Sequence, residues 1–213
     1  MTALLAGASG LIGRELAQHW TGPGAIHLLV RRPQAAATPR QHVLVVDFAA
    51  LPALPEAADG FCCLGTTIAT AGSKAAFRAV DFDAVLAFAR AAKAAGVTRF
   101  AVVSALGANT ASGSFYSRVK GEMEQALAEL AFASLVLARP SLLAGDRSRL
   151  GQPVRTAERL ALMLATPLSP LIPMAWRPVQ ASTVARAMLR ALAERQPGLR
   201  VVESAELQTL GAP

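Results

Sequence analysis

Thr2-Ala3-Leu4-Leu5-Ala6-Gly7-Ala8-Ser9-Gly10-Leu11-Ile12-Gly13 is the stretch whose reading decides the fold. Its first residues are an apolar run of the length of a buried strand, and three glycines spaced three apart follow at once. Leu11, Ile12, Leu16 and Ala17 then recur at helical spacing, so the stretch reads as strand, turn and helix. Glycine suits such a turn because the backbone can take a positive φ there, and because a Cβ would hold the chain away from a bound pyrophosphate. A helix starting at Leu11 aims its unpaired N–H groups at that pyrophosphate, and its dipole adds to the attraction. Gly7, Ser9, Gly10, Leu11, Ile12 and Gly13 are therefore candidate cofactor-binding residues. The alternative is a glycine-rich turn that only links two packed elements. The preceding strand, the following helix and the place at the start of the chain favour the nucleotide.

Working outward, the pattern repeats. Gly22-Pro23-Gly24 makes a turn, and Ile26–Val30 reads as a second strand ending in Arg31-Arg32-Pro33. In a dinucleotide fold the end of this strand meets the adenosine ribose. An acid there accepts the 2′-hydroxyl of NAD, whereas arginine suits the 2′-phosphate of NADP. Two arginines and no acid predict NADP (NADPH), a solvated basic turn being the alternative. Residues 43–46 and 61–64 read as third and fourth strands, the latter ending at Leu64 and followed by Gly65, Thr66 and Thr67, a small residue and two hydroxyls suited to cofactor contact. From Ser73 to Ala95 the period is helical, with a short helix to Val80 and a longer one that Asp81 would cap. Residues 99–104 form a fifth strand and Ser134–Arg139 a sixth, after which Pro140 and Leu143 would pass the nicotinamide. Strands alternating with helices predict an α/β class, a doubly wound, mostly parallel sheet.

Chemistry enters with Ser104 at a strand end and with Tyr116 and Lys120, four apart and hence on one face of the next helix. Hydride delivery to a carbonyl needs a proton source beside the nicotinamide. A free phenol titrates near ~10, and a neighbouring ammonium favours its ionised form. Tyr116 is thus the candidate proton donor, Lys120 the cation that activates it and binds ribose hydroxyls, and Ser104 the hydroxyl that holds the substrate oxygen. Tyr-x-x-x-Lys alone is a weak signal. Its conjunction with the glycine turn and Ser104 is much stronger, and Tyr116 is the single tyrosine of the sequence.

The Gly-x-x-Gly-x-x-Gly turn resembles the short-chain dehydrogenase/reductase superfamily, especially its extended and atypical branches. The runs Cys63-Leu64-Gly65-Thr66-Thr67, Ala71-Gly72-Ser73, Phe77, Val80-Asp81, Ala92-Lys93, Gly96-Val97, Val103-Ser104, Gly107-Ala108, Tyr116-Ser117-Arg118-Val119-Lys120-Gly121-Glu122, Arg139-Pro140 and Leu142-Leu143 sharpen it. They resemble the Tat-interacting-protein oxidoreductases. The resemblance spans most of the chain and implies a Rossmann-like fold, NADPH binding and a Ser-Tyr-Lys site. It also places Asp47 and Phe48, after the third strand, beside the adenine. Some members of that family are discussed as regulators, so a non-catalytic NADPH-binding redox sensor stands as the alternative to an enzyme acting on a small carbonyl or alcohol. A nucleotide-sugar epimerase is disfavoured by the short C-terminal segment.

Composition bounds the rest. A chain of 213 residues with 53% hydrophobic and 16% charged residues is expected to form one domain, 1–213, in which residues from about 144 supply the substrate side. The +7 charge is scattered, with few aromatic residues to interleave, which argues against nucleic acid. Residues 160–176 are apolar but broken by Pro167, Pro170 and Pro173, so they make a poor membrane span and read as a lid, a partner surface or core. No leader pattern precedes Leu4, and the expectation is a cytoplasmic protein that meets a small carbonyl substrate, with a protein partner or homodimer open. Adjacent Cys62 and Cys63 point to opposite faces of a strand and suggest neither a disulfide nor a metal site. His19, His27 and His42 read as structural or surface residues, isolated from one another and from any carboxylate cluster.

Overall fold

The computed structural model describes residues 2–144 and 173–213. In chain order the elements are β1 (Ala3–Ala6), α1 (Leu11–His19), β2 (Ile26–Val30), β3 (Gln41–Val45), β4 (Asp59–Cys62), α2 (Ile68–Ala71) and α3 (Lys74–Arg78). A π-helical turn (Ala79–Ala84) leads into α4 (Val85–Ala94), β5 (Arg99–Val103), α5 (Phe115–Ala128), β6 (Ser134–Arg139) and β7 (Leu143–Ala144). The chain is described again from a 3₁₀ turn (Met174–Trp176), followed by β8 (Val179–Gln180), α6 (Ala181–Ala193), β9 (Gly198–Glu203) and α7 (Ser204–Leu210). The sequence expectations for residues 145–172, including most of the proline-broken apolar stretch 160–176, lie outside the described residues.

Seven strands form one sheet in the order β3-β2-β1-β4-β5-β6-β9, every neighbouring pair parallel. Parallel strands need crossover connections, and the helices that supply them cover both faces, which is why the central strands are apolar on both sides. Alternation along β1 shows the division. Ala3 and Leu5 face a core with Ile12, Leu16, Leu28, Met188 and Leu207, under α1, α6 and α7. Leu4 and Ala6 face the other core, with Phe88, Phe100, Met123 and Leu127 under α4 and α5. The strand order reverses on either side of β1, and ligands of such sheets bind in the crevice beyond the strand ends at that point. The doubly wound, parallel α/β fold read from the sequence is the one observed.

Three local differences have physical causes. β4 begins at Asp59, earlier than the apolar run suggests, because Asp59 pairs with Arg99 Nη2 at 2.5 Å across the parallel β4–β5 ladder and Gly60 makes room for the Phe100 ring. Asp81 is not a helix cap. It sits inside the π-turn that makes α3 and α4 one continuous helical run, and it is fully buried, while the cap of α3 is Ser73, whose side chain accepts from Ala76 N. His27 and His42 are not isolated. The β2–β3 register sets them side by side, with ring centroids 5.2 Å apart. Among the described residues no helix is long and apolar enough to cross a membrane.

Candidate functional site

The turn after β1 is built as its glycines require. Gly7 has φ +81°, and a Cβ on Gly13 would stand 2.2 Å from Gly7 O, so these two let α1 close against the strand. Gly10 differs. A Cβ there would meet only Gly7 O, at 3.3 Å, and Gly10 borders open space with Leu11 and Ile12. A backbone that a side chain would cover, at the N-terminus of a nine-residue helix with no side-chain cap, fits the pyrophosphate of a dinucleotide.

That open space is a cavity of about 560 Å³ beyond the strand ends. Into it come Gly10, Leu11 and Ile12 from the turn, Arg31 from the end of β2, Leu64, Gly65 and Thr66 after β4, Ser104 after β5, and Pro140 and Leu143 after β6. Thr67, the second hydroxyl read at that strand end, also lines it, and Tyr116 and Lys120 reach it from α5 together with residues the sequence reading did not assign to it, notably Thr70 and Asp81. Gly7, Ser9, Gly13, Arg32, Asp47 and Phe48 do not line it. Arg32 and Ser9 are exposed, Phe48 is buried in the core under α4, and Asp47 Oδ1 accepts from Ala49 N at 2.9 Å in a local turn.

Ser104 is held by its backbone, its N–H donating to Ala138 O at 2.7 Å, while Leu106 N donates to Pro140 O at 2.9 Å. Its Oγ is buried and has no hydrogen-bond partner among the described residues, which is a costly state for a hydroxyl unless something else meets it. Tyr116 lies half-buried against Phe77, ring centroids 5.4 Å apart. The loop that carries the chain from Ser104 to α5 packs tightly on that helix, since a Cβ at Gly121 would stand 2.4 Å from Asn109 C.

Lys120 and Asp81 are the buried charges of the site. Lys120 Nζ lies 2.7 Å from Asp81 Oδ1, with both side chains almost wholly enclosed. Asp81 Oδ2 accepts from Thr66 N at 2.8 Å, and Lys120 Nζ also reaches Val103 O at 3.5 Å. Burial pulls the Lys120 ammonium down, but the attraction of Asp81, with Tyr116 and Cys62 adding to it, outweighs that and raises its pKa above the ordinary lysine value. Burial pushes the Cys62 thiol up to about 12 and Cys63 well above its usual range, so neither offers a thiolate near neutrality, although Cys63 borders the cavity. Sequence reasoning named Lys120 and missed its partner. A carboxylate in a helical apolar run looks like a cap or a solvated face, and only the tertiary fold shows it buried.

Glycine turn, crossover sheet and cavity at the switch point together define a dinucleotide-binding Rossmann-like protein. Residues 7–143 match the model of the NAD(P)H-binding family, and the chain belongs to it. Within that class its relatives are of the Tat-interacting-protein type. It is 35% identical to Protein HTATIP2 of Rattus norvegicus, over 99% of this chain and 89% of that one, and 32% identical to the mitochondrial Protein FMP52 of Eremothecium gossypii, over 99% and 97%. The FMP52 of Debaryomyces hansenii is 34% identical over 70% of each chain. FMP52 proteins carry the word mitochondrial in their names, and this overturns the cytoplasmic expectation. An apolar start that breaks at once into a glycine turn was too thin a ground for assigning a compartment. Among solved structures, MoeE5 in complex with UDP-glucose and NAD aligns with TM-score 0.72 at 18% identity, over 100% of this chain and 81% of that one. A UDP-glucuronic acid 4-epimerase of Bacillus cereus in complex with NAD aligns at 0.69 and 13%, over 96% and 78%. At those identities the likeness is one of fold. The chain thus has an NAD(P)-binding, oxidoreductase-like fold.

Proposed function

We propose that this protein is an NADP(H)-dependent oxidoreductase that reduces a small carbonyl compound, or oxidises the matching alcohol, at Ser104, Tyr116 and Lys120. The observation that carries the reading is Ser104 Oγ, a buried hydroxyl without a partner among the described residues, in the same cavity as Tyr116 and Lys120. When bound, NADPH would supply a hydride to the carbonyl carbon and leave as NADP⁺. The chain supplies the rest. Ser104 Oγ donates to the carbonyl oxygen and orients it, and Tyr116 gives that oxygen its proton, so that hydride and proton together make the alcohol. Lys120 is placed for ribose hydroxyls, Gly10 to Ile12 for the pyrophosphate, and Arg31 for the 2′-phosphate. Arg32, Asp47 and Phe48 remain proposed contacts of the adenosine end. Residues 1–213 act as one NAD(P)-binding unit, and those from about 144 onward contribute the substrate side, a reading supported by β8, which pairs with β7, the strand of the cavity residue Leu143.

The test is turnover. NADPH oxidation is followed optically over a panel of aldehydes, ketones and quinones, with Tyr116→Phe as the diagnostic variant. Loss of one hydroxyl should leave NADPH affinity intact and lower the rate by about 10²-fold or more. NADPH should bind more tightly than NADH by about 1.5–3 kcal/mol through a charge-assisted contact, and Arg31→Ala with Arg32→Ala should erase the difference. A parent that binds NADPH well and oxidises it with no carbonyl would favour the redox sensor instead.

A further inference from the structure

Asp81 has no place in the scheme above, yet it is the best-buried charge of the site. Its carboxylate joins three elements, the π-turn that carries it, Lys120 on α5 and the backbone of Thr66 after β4. π-helical turns inside helices recur at functional sites, and this one turns a carboxylate inward from a helical run. Gly65 packs directly on the pair, since a Cβ there would lie 3.4 Å from Asp81 Oδ1 and 4.0 Å from Lys120 Nζ. A buried ion pair is not in itself stabilising, because taking two charges out of water costs about what their attraction returns. Two apolar residues would fill the space as well. The pair also borders the cavity on both sides, Asp81 and Lys120 each lining it.

We propose that Asp81 is a positioning residue that acts through Lys120: it holds Nζ at the cavity wall and compensates its charge, so that Tyr116 and the cofactor face a neutral pair rather than a bare ammonium. This deepens the reductase reading and rests on it for its turnover arm. The other titratable or charged groups facing the pair are Tyr116 on α5, Arg31 beyond β2, Cys63 at the cavity and Cys62 behind it on β4. The Arg78–Glu122 pair between α3 and α5 does not line the cavity. Asp81 is therefore the one carboxylate among the described cavity residues.

The consequence is specific. Asp81→Asn keeps the size of the side chain and an acceptor for Thr66 N–H but leaves the ammonium uncompensated. In that variant the pH–rate profile should move to lower pH, because an uncompensated ammonium favours the ionised form of an acid beside it. NADPH, an anion, should bind more tightly, and more so at low salt. In a Lys120→Met background, Asp81→Asn should change neither quantity, because a carboxylate buried without its cation is held neutral and the substitution then exchanges one uncharged group for another. A purely structural Asp81 would lower the melting temperature and leave the midpoint in place.

The experiment is the four-member cycle of parent, Asp81→Asn, Lys120→Met and the double variant, read by NADPH titration at two salt concentrations and by the pH–rate profile. A midpoint and an affinity unmoved by Asp81→Asn, or an effect equally large in both lysine backgrounds, overturns the proposal. Should Asp81→Asn alone fail to fold, the charge-free double variant decides against Lys120→Met. Equal NADPH affinities support the assignment and unequal ones sink it. The binding arm needs no turnover, so a parent without carbonyl reductase activity would remove the reductase reading while the Asp81 assignment still stood or fell by affinity.

Discussion

One wall of the cavity, Gly10 to Ile12 between β1 and α1, is made of residues consecutive in the chain, whereas another brings Asp81, Lys120 and Thr66 together from three separate elements. The first is held by shape. Gly7 and Gly13 leave no room for a side chain, and the helix start follows from that close approach. The second is held by charge, in a place where either partner alone would be an uncompensated buried ion. The two walls should therefore fail differently. Shape defects unfold the turn or block the ligand, while charge defects change how the site responds to pH and salt.

The largest effect expected is at Gly13. Gly13→Val puts a branched side chain where even a Cβ stands 2.2 Å from Gly7 O and 2.9 Å from Ala8 Cα. Overpacking against backbone has no flexible group to absorb it, so a loss of about 3 kcal/mol or more is expected. That is a fall in melting temperature of at least about 6 °C, read by thermal denaturation. A variant as stable as the parent would mean that the turn is looser than its geometry implies, and the contrast between the walls would vanish.

Gly10→Val separates ligand from scaffold on the same wall. Its Cβ meets one atom at 3.3 Å and its remaining carbons extend toward the cavity, so stability should change by about 1 kcal/mol or less while NADPH affinity is lost in a titration. If the variant folds and binds NADPH like the parent, the opening stretch is a structural turn and the cofactor lies elsewhere. Gly65→Ala is the matched probe of the other wall. Its methyl group would rest on the Asp81–Lys120 pair at ordinary contact distance, and should cost under about 1 kcal/mol of stability while weakening NADPH binding mildly.

The difference between the walls also explains what could be read from the chain. The fold was legible because it is written in local terms. An apolar run, a glycine turn and a helical period name a strand–turn–helix by themselves, and their repetition names a parallel sheet. Gly10, Leu11, Ile12, Ser104, Tyr116 and Lys120 were legible as candidates because each stands at a strand end or on a helix start. Asp81 was not, since a carboxylate in a helical run gives no sign of the lysine it meets, and a π-turn has no sequence signature of its own. The four-residue α2 and the two-residue strands β7 and β8 escaped for the same reason, being too short to carry a period. The early start of β4 escaped because Asp59 and Gly60 are poor strand formers kept in place by Arg99 and Phe100.

The smallest expected effect tests the same distinction far from the cavity, at the other pair that only the sheet register creates. His27 and His42 face each other across β2 and β3, and His27 Nδ1 is buried without a partner among the described residues. Burial first, and the neighbouring His42 second, lower the His27 pKa below its ordinary 6.5. The sign follows from linkage. Below pH 6.5 the unfolded chain takes up a proton on this histidine before the folded one does, so folding loses stability as the pH falls from 6.5 through the lower folded value. Above 6.5 the residue is neutral in both states and has no effect. Thermal denaturation between about pH 7.5 and 5.5 should therefore show a decline on acidification that His27→Leu reduces, the leucine also suiting the apolar surroundings of the strand. A His27 no more desolvated in the folded chain than in the unfolded one would leave parent and variant with parallel pH profiles. A steeper decline in the variant would mean that protonated His27 has a favourable partner, and that the register-made pair is not a repulsive one.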